Sequence, residues 1–370
     1  MQHSSPTAMR KINALQALRG YAAVSVMLGH AILEFHATKG TEMPFNEFPL
    51  IAGVDIFFVL SGFVMFYTSG TMFGRPEAVF EFWRRRFLRL VPLYWLFTSL
   101  MVVVLLFLGN HVRATEFDLW NVISSYLFIP SERPGGRIAP VLSLGWTLNY
   151  EMFFYLMFGL FLLFNKKTGI ICLILSFIFL LFINTVYNPS FTPIRFWGNS
   201  IILEFIAGIL LGVLKSRHDF QKSLPACAAI FTAGLIILVL GSDLDMPRFI
   251  KGGLPATLMV YAALALPISI DRKVPAWLIL LGDSSYALYL SHRFVLRAVT
   301  MIFAAIAIPF EHEIAFYVFA TLIGSIILSI FVYKFIEAPF LQFFSTRRKG
   351  IRMTRSGTQG DGNTSANANA

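Results

Sequence analysis

The chain encodes an all-α, polytopic membrane protein of about ten transmembrane helices with both termini cytoplasmic, and three observations lead there. Of its 370 residues, 56% are hydrophobic and 14% charged, with a mean hydropathy of +0.69. Apolar runs near the ~20 residues that cross a bilayer recur along almost the whole length. Lys and Arg concentrate in alternate connecting segments, as basic flanks retained in the cytoplasm do.

The runs fall at about 13–35, 49–69, 87–109, 141–164, 169–187, 198–215, 224–241, 253–271, 284–308 and 314–336. The stretch 276–308 also leaves room for an interfacial segment ahead of its helix. With the N-terminus inside, the cytoplasmic side receives Arg10, Lys11, Arg75, Arg84, Arg85, Arg86, Arg89, Lys166, Lys167, Lys215, Arg217, Lys222, Arg272, Lys273, Lys334 and the cluster from Arg347 to Arg355. The opposite side receives only Lys39, Arg113, Arg133, Arg137, Arg195, Arg248 and Lys251. The net charge of +10 is thus topological, and nucleic-acid binding is not indicated. The first run follows a basic segment but is too long for a signal peptide, carries Arg19 and His30, and lacks a small-residue cleavage pattern. It is expected to stay as a helix.

Cys172 and Cys227 both lie in apolar runs, which supports neither a disulfide framework nor a metal cluster. The expected organisation is a cytoplasmic segment over 1–11, a membrane domain over 12–340, and a basic then disordered tail over 341–370. From 350 onward the tail is too rich in Gly, Ser, Thr, Asn and Ala to bury a core. The longest outer loop, about 110–140, holds Trp120, Tyr126 and the turn signal Arg133-Pro134-Gly135-Gly136.

Candidate site residues are the polar ones that interrupt this apolar background. Arg19 and His30 stand eleven residues apart, about three helical turns, so both lie on one face ~16 Å apart. Ionisable groups inside a membrane are costly and mark function. Asp55 is the only acid in GVDIFFVLSGF. A buried carboxylate needs a partner, and a histidine or arginine on a neighbouring helix suits it. Glu34, one turn beyond His30 on the same face, competes for that role.

The run RRRFLRLVPLYW places Arg84, Arg85, Arg86 and Arg89 at the cytoplasmic entry of the third helix. Four arginines in six residues exceed what membrane anchoring needs, and guanidinium forks match phosphate geometry. In WTLNYEMFFYL, Trp146 opens the run and Glu151 is expected near the outer end of the fourth helix. In SYALYLSH, Tyr286, Tyr289 and His292 recur at three-residue spacing and share a face. Arg293 and Arg297 follow on the same helix. Glu337, in IEAPF, is expected to be structural, with Pro339 stopping the last helix. Walker, GxGxxG, HExxH and GxSxG motifs are missing from the sequence, which narrows the chemistry to His, carboxylate and Arg.

Taken in order, LQALRGYAAVSVMLGHA, GVDIFFVLSGF, RRFLR leading into LVPLYW, the W-T-L-x-x-E run, SYALYLSH and IEAPF resemble the membrane acyltransferase 3 family over about residues 12–340. The resemblance implies roughly ten spans and transfer of an acyl group, usually acetyl, from cytoplasmic acyl-coenzyme A to hydroxyls of surface-destined glycans or lipids. Exopolysaccharide and O-antigen acetyltransferases are the most similar members. It implies that Arg19 and His30 are the family's Arg-x10-His pair, and that Arg86 and Arg89, with Arg85 adjacent, are its basic donor-binding motif. Glu151 takes the place of the family's fourth-helix acid, while Met152 stands where many members have a second polar residue. An appended esterase-like domain is not expected, which excludes a relay through its serine.

These readings combine into one expectation. An acyl-coenzyme A resting its phosphates on Arg85, Arg86 and Arg89 threads inward past Arg19 and offers its thioester to His30, which Asp55 or Glu34 orients. The acceptor, a polysaccharide or lipid-linked oligosaccharide, comes from the other side, with Glu151, Trp146, Tyr289 and His292 as candidate contacts. Direct transfer and an acyl-histidine intermediate both stay open. The competing class is a secondary transporter of a glycan or lipid-linked intermediate, which also uses intramembrane His, Arg and carboxylates. The expected location is a bacterial inner membrane.

Overall fold

A computed structural model of the protein describes residues 11–108, 117–133, 135–218, 220–305 and 310–344. Arg10, Arg113, Pro134, the end of the 284–308 run and the tail from 345 onward lie outside the described residues.

The helices are α1 (Asn13–Lys39), α2 (Phe48–Ile51), α3 (Gly53–Ser69), α4 (Pro76–Leu108), α5 (Leu119–Tyr126), α6 (Trp146–Phe161), α7 (Lys166–Tyr187), α8 (Thr192–Trp197), α9 (Ile202–Arg217), α10 (Leu224–Gly241), α11 (Leu254–Ala265), α12 (Ile268–Asp271), α13 (Ala276–Asp283), α14 (Ser285–Ala305) and α15 (Phe310–Val332). The one extended pairing among the described residues is an isolated bridge between Glu132 and Ile138. Six helical stretches are long and apolar enough to cross a membrane: Phe48–Ser69, Pro76–Phe107, Lys166–Tyr187, Leu224–Gly241, Ser285–Ala305 and Glu313–Phe344. The chain is a multi-pass membrane protein. Arg19, His30 and Glu34 keep α1 off that group despite its 27 residues, while α6, α9 and α11 are shorter than a simple span.

One end of the bundle gathers Lys11, paired with Asp283 at 2.8 Å, Lys215, bonded to the Leu264 carbonyl at 3.1 Å, and Lys166 over the Phe66 ring. Asp271 caps the start of α1 there, its Oδ1 accepting from the Ala14 amide at 2.8 Å. The other end holds Lys39 with Glu313 at 2.5 Å, Asn46 with Asp243 at 2.7 Å and Arg195 with Glu132 at 3.2 Å.

Between these ends α3 is the central helix. It crosses α9 so closely that a Cβ on Gly62 would lie 2.1 Å from the Phe205 carbonyl, and one on Gly208 2.0 Å from that of Val59. Small residues let membrane helices touch backbone to backbone, where dispersion replaces the missing hydrophobic drive. An aromatic core of Phe58, Phe82, Tyr94, Phe154, Phe158, Phe177 and Phe205 fills the space beside that crossing.

Two helix ends differ from expectation. The 253–271 run is not one helix: it starts in a π turn, Phe249–Gly253, and breaks at Leu266, whose ψ of 138° is the extended setting a following proline demands. The last helix does not stop at Pro339, because it continues to residue 344. A π turn over Tyr333–Glu337 re-spaces the carbonyls that the proline would otherwise meet. The 276–308 stretch begins with a separate short helix, α13, which packs against α1 through Gly20, Leu281 and Gly282.

Candidate active site

The main cavity, about 290 Å³, opens at the basic end beside Lys11 and Ile12. Its α3 wall runs from Thr68 to Val54, fourteen residues or about 21 Å of helix. Arg19 of α1, Arg86 and Arg89 of α4, Glu151 and Tyr155 of α6, and Tyr286 and Tyr289 of α14 complete the walls. Its size sits at the lower limit of ligand cavities, roughly 300–1,000 Å³. This shape suits a linear arm better than a sugar ring.

Arg86 donates to Thr68 Oγ1 at 2.7 Å and stacks over the rings of Phe82 and Tyr155. Glu151 accepts from Ser61 at 3.0 Å and from the Tyr155 hydroxyl. It therefore lies in the arginine cavity, not near the outer end of its helix as expected. The cause is the buried stretch Ala139–Gly145 ahead of α6, which sinks the first turn of the helix into the protein. Glu337 and Glu151 are near enough to Arg19 to interact with its charge. Arg19 and Arg89 have no ion pair or hydrogen bond among the described residues, and the buried Gln16 Oε1 and Ser285 Oγ are also unpartnered. Arg85 does not line the cavity. It points out along α4 and pairs with Glu81 one turn back, because 85 and 86 face directions about 100° apart.

His30 also lies outside the cavity wall. Tyr289 closes the inner end, with its hydroxyl 2.9 Å from Thr147 Oγ1 and donating to the Leu144 carbonyl at 3.0 Å. One turn further along α14, His292 is 1% exposed, its ring 6.1 Å from that of Tyr289. The His30 and His292 rings are stacked 7° from parallel, with His30 Nδ1 3.0 Å from His292 Nε2. His292 Nδ1 lies 3.1 Å from the Leu288 carbonyl, which can only accept, so Nδ1 carries the proton. In the neutral ring Nε2 is then an acceptor, and His30 must donate to it from its own Nδ1. The His30 Nε2 lone pair is left free for chemistry.

Both residues expected to orient His30 are engaged elsewhere. Asp55, 0% exposed, accepts from Arg248 Nε at 3.1 Å and NH2 at 2.8 Å. A buried carboxylate gains most from a two-pronged guanidinium, and Gly252 makes room for it: a Cβ there would stand 2.4 Å from Asp55 Oδ1. Trp146 packs on this pair, with Arg248 over its ring, and is not in the main cavity. Glu34 faces Arg293 at 3.9 Å and Arg297 at 3.8 Å. His292, expected as an acceptor contact, is the residue that meets His30.

Sequence reasoning missed Glu204. It is 0% exposed and lies against Asp55 and Arg248. The signal was present, since Glu204 is the only acid of its apolar run, as Asp55 is of its own.

The acyltransferase 3 family, described as an acyltransferase domain, matches residues 12–333. The chain belongs to that family. It is an acyltransferase. Among its relatives, the exopolysaccharide production protein ExoZ of Rhizobium meliloti is 33% identical over 325 residues, covering 85% of this chain and 96% of its own. The putative peptidoglycan O-acetyltransferase YrhL of Bacillus subtilis is 26% identical, covering 89% of this chain and 55% of its own. The O-acetyltransferase OatA of Staphylococcus aureus is 24% identical, covering 93% and 58%. No solved structure matches the chain.

Proposed function

We propose that this acyltransferase moves an acyl group, acetyl above all, from cytoplasmic acyl-coenzyme A to a hydroxyl of an exported or cell-surface polysaccharide, or of its lipid-linked precursor. It does so from a bacterial inner membrane, crossing about ten times with both termini inside. The observation that carries the reading is the alignment of the cavity with the histidine pair. A shaft with two unpartnered guanidiniums opens at the basic end and stops at Tyr289, one turn short of a histidine couple that leaves Nε2 of His30 free.

The residues present fit the donor. Arg86 and Arg89 near the mouth are suited to its phosphates, the apolar wall of Phe57, Leu60 and Val64 to its linear arm, and Gln16 and Ser285 to its amides. Arg19 lies along the shaft, with Glu151 balancing the local charge. His30 Nε2 takes the proton of the acceptor hydroxyl as that oxygen bonds to the thioester carbonyl carbon. The carbon–sulfur bond then breaks, the proton held on His30 Nε2 passes to the departing sulfur, and the thiol leaves toward the cytoplasm. His292 holds His30 in the productive tautomer throughout. The match to the acyltransferase family favours transfer over passage of a whole glycan, so the transporter reading is the weaker one.

The test is the O-acetyl content, by proton NMR, of surface polysaccharide from a deletion strain carrying the wild-type chain or His30→Ala at matched expression. Acetyl restored by the wild type alone is expected. Restoration by both removes His30 from the catalytic path, and acetyl unaffected by the deletion removes the glycan as acceptor.

A further inference from the structure

A second cavity, about 470 Å³, lies at the same basic end and is lined by Lys215, Ser216, Arg217, His218, Gln221, Leu264 and Asp271. It shares two wall residues with the main shaft, Ile12 and Tyr67. The two spaces are therefore neighbours, with Ile12 and Tyr67 between them. Both carry basic side chains, Lys11, Arg19, Arg86 and Arg89 in the shaft and Lys215, Arg217 and His218 in the chamber, but the chamber is the larger of the two.

Part of the chamber wall is fixed by contacts that the structure shows. Lys215 is anchored by the Leu264 carbonyl and by the Phe220 ring, 4.9 Å from its ammonium. That ring is stacked on Tyr261. The lysine is thereby fixed at the wall instead of ranging through solvent. Arg217 and His218 are exposed and have no ion pair among the described residues. The one carboxylate among the described lining residues, Asp271, is buried, and its Oδ1 accepts the Ala14 amide. Membrane anchoring explains a lysine and an arginine at a helix end. It does not explain a chamber built beside the donor shaft.

We infer that this chamber is the subsite for the adenosine 3′-phosphate of the acyl-coenzyme A donor, with Lys215, Arg217 and His218 as its contacts. The inference rests on the donor assigned above and adds where the far end of that donor lies. The diphosphate then sits at the shaft mouth near Arg86 and Arg89, the arm runs down the shaft, and the nucleotide end turns past Ile12 and Tyr67 into the chamber. The RRRFLR cluster is in this arrangement only half of the phosphate recognition.

The experiment compares binding of coenzyme A and 3′-dephospho-coenzyme A to the full chain in phosphatidylcholine nanodiscs. A charge-assisted bond to phosphate is expected to make the wild type prefer coenzyme A by about tenfold or more. Arg217→Ala and Lys215→Ala should bring that ratio close to one, while Lys273→Ala, an exposed basic residue outside the lining, should keep it. Equal binding of the two ligands by the wild type, or an intact preference in Arg217→Ala and Lys215→Ala, overturns the subsite and leaves the donor reading standing. Failure of the wild type to bind either ligand overturns both. The comparison is repeated with phosphatidylglycerol in the disc. Loss of the preference there assigns the chamber to lipid phosphate and also overturns the proposal.

Discussion

The arginines around the shaft and the cations at the opposite end of this bundle are matched differently. At that opposite end arginines and lysines pair with acids: Arg248 with Asp55, Lys39 with Glu313, Arg195 with Glu132, and Arg293 and Arg297 with Glu34. Around the shaft, Arg19 and Arg89 have no ion pair or hydrogen bond among the described residues; Glu151, which interacts with the charge of Arg19, is bonded to Ser61 and Tyr155, and Glu337 interacts with both arginines. Matched charges hold helices in place, while unmatched ones in a cavity are positioned to receive an anion. Paired and unpaired cations thus occupy different parts of the molecule, although the sequence writes both with the same residue types.

The comparison breaks most visibly at Asp55. Removing one partner of a buried ion pair leaves the other uncompensated, at about 3–5 kcal/mol, and the 25% exposure of Arg248 favours the lower figure. Asp55→Ala is expected to lower the thermal midpoint of the detergent-solubilised protein markedly. The double variant Asp55→Leu with Arg248→Met should recover most of the loss. A single variant as stable as the wild type would mean that Asp55 acts in chemistry and not in holding the fold.

Next in size is the histidine pair. Loss of the tautomer lock should lower kcat by roughly 10²-fold, within the range that a positioned base contributes, with the KM for acetyl-coenzyme A unchanged. His292→Gln keeps an acceptor for the His30 Nδ1 proton and should regain part of that rate over His292→Ala. Equal rates in the two variants would reduce His292 to a packing residue.

The helical class and most helix positions were legible because each depends on local periodicity and on the cost of charge in an apolar run. Pairings were not legible. Asp55 signalled that it needed a partner but not which one, since Arg248 is 193 positions away and reaches it only through the π turn before α11. Glu151 was misplaced in depth because hydropathy does not reveal that Ala139–Gly145 is buried loop. Pro339 was misread because a π turn that absorbs a proline leaves no mark in composition. Glu204 was readable by the rule already applied to Asp55.

The arginine run carries the smallest effects and the sharpest contrast. Arg86→Ala and Arg89→Ala each remove a guanidinium from the shaft wall, and loss of one charge-assisted contact should raise the KM for acetyl-coenzyme A by about tenfold, with acceptor use little changed. Arg85→Ala, one position away, removes only an exposed pair with Glu81. Pairs of that kind contribute about 0–1 kcal/mol, so its KM should stay within about twofold of wild type. Three steady-state titrations in one membrane preparation decide the matter. If Arg85→Ala raised KM as much as its neighbours do, the donor phosphates would ride on the outer surface of α4 and the shaft would not be their entry.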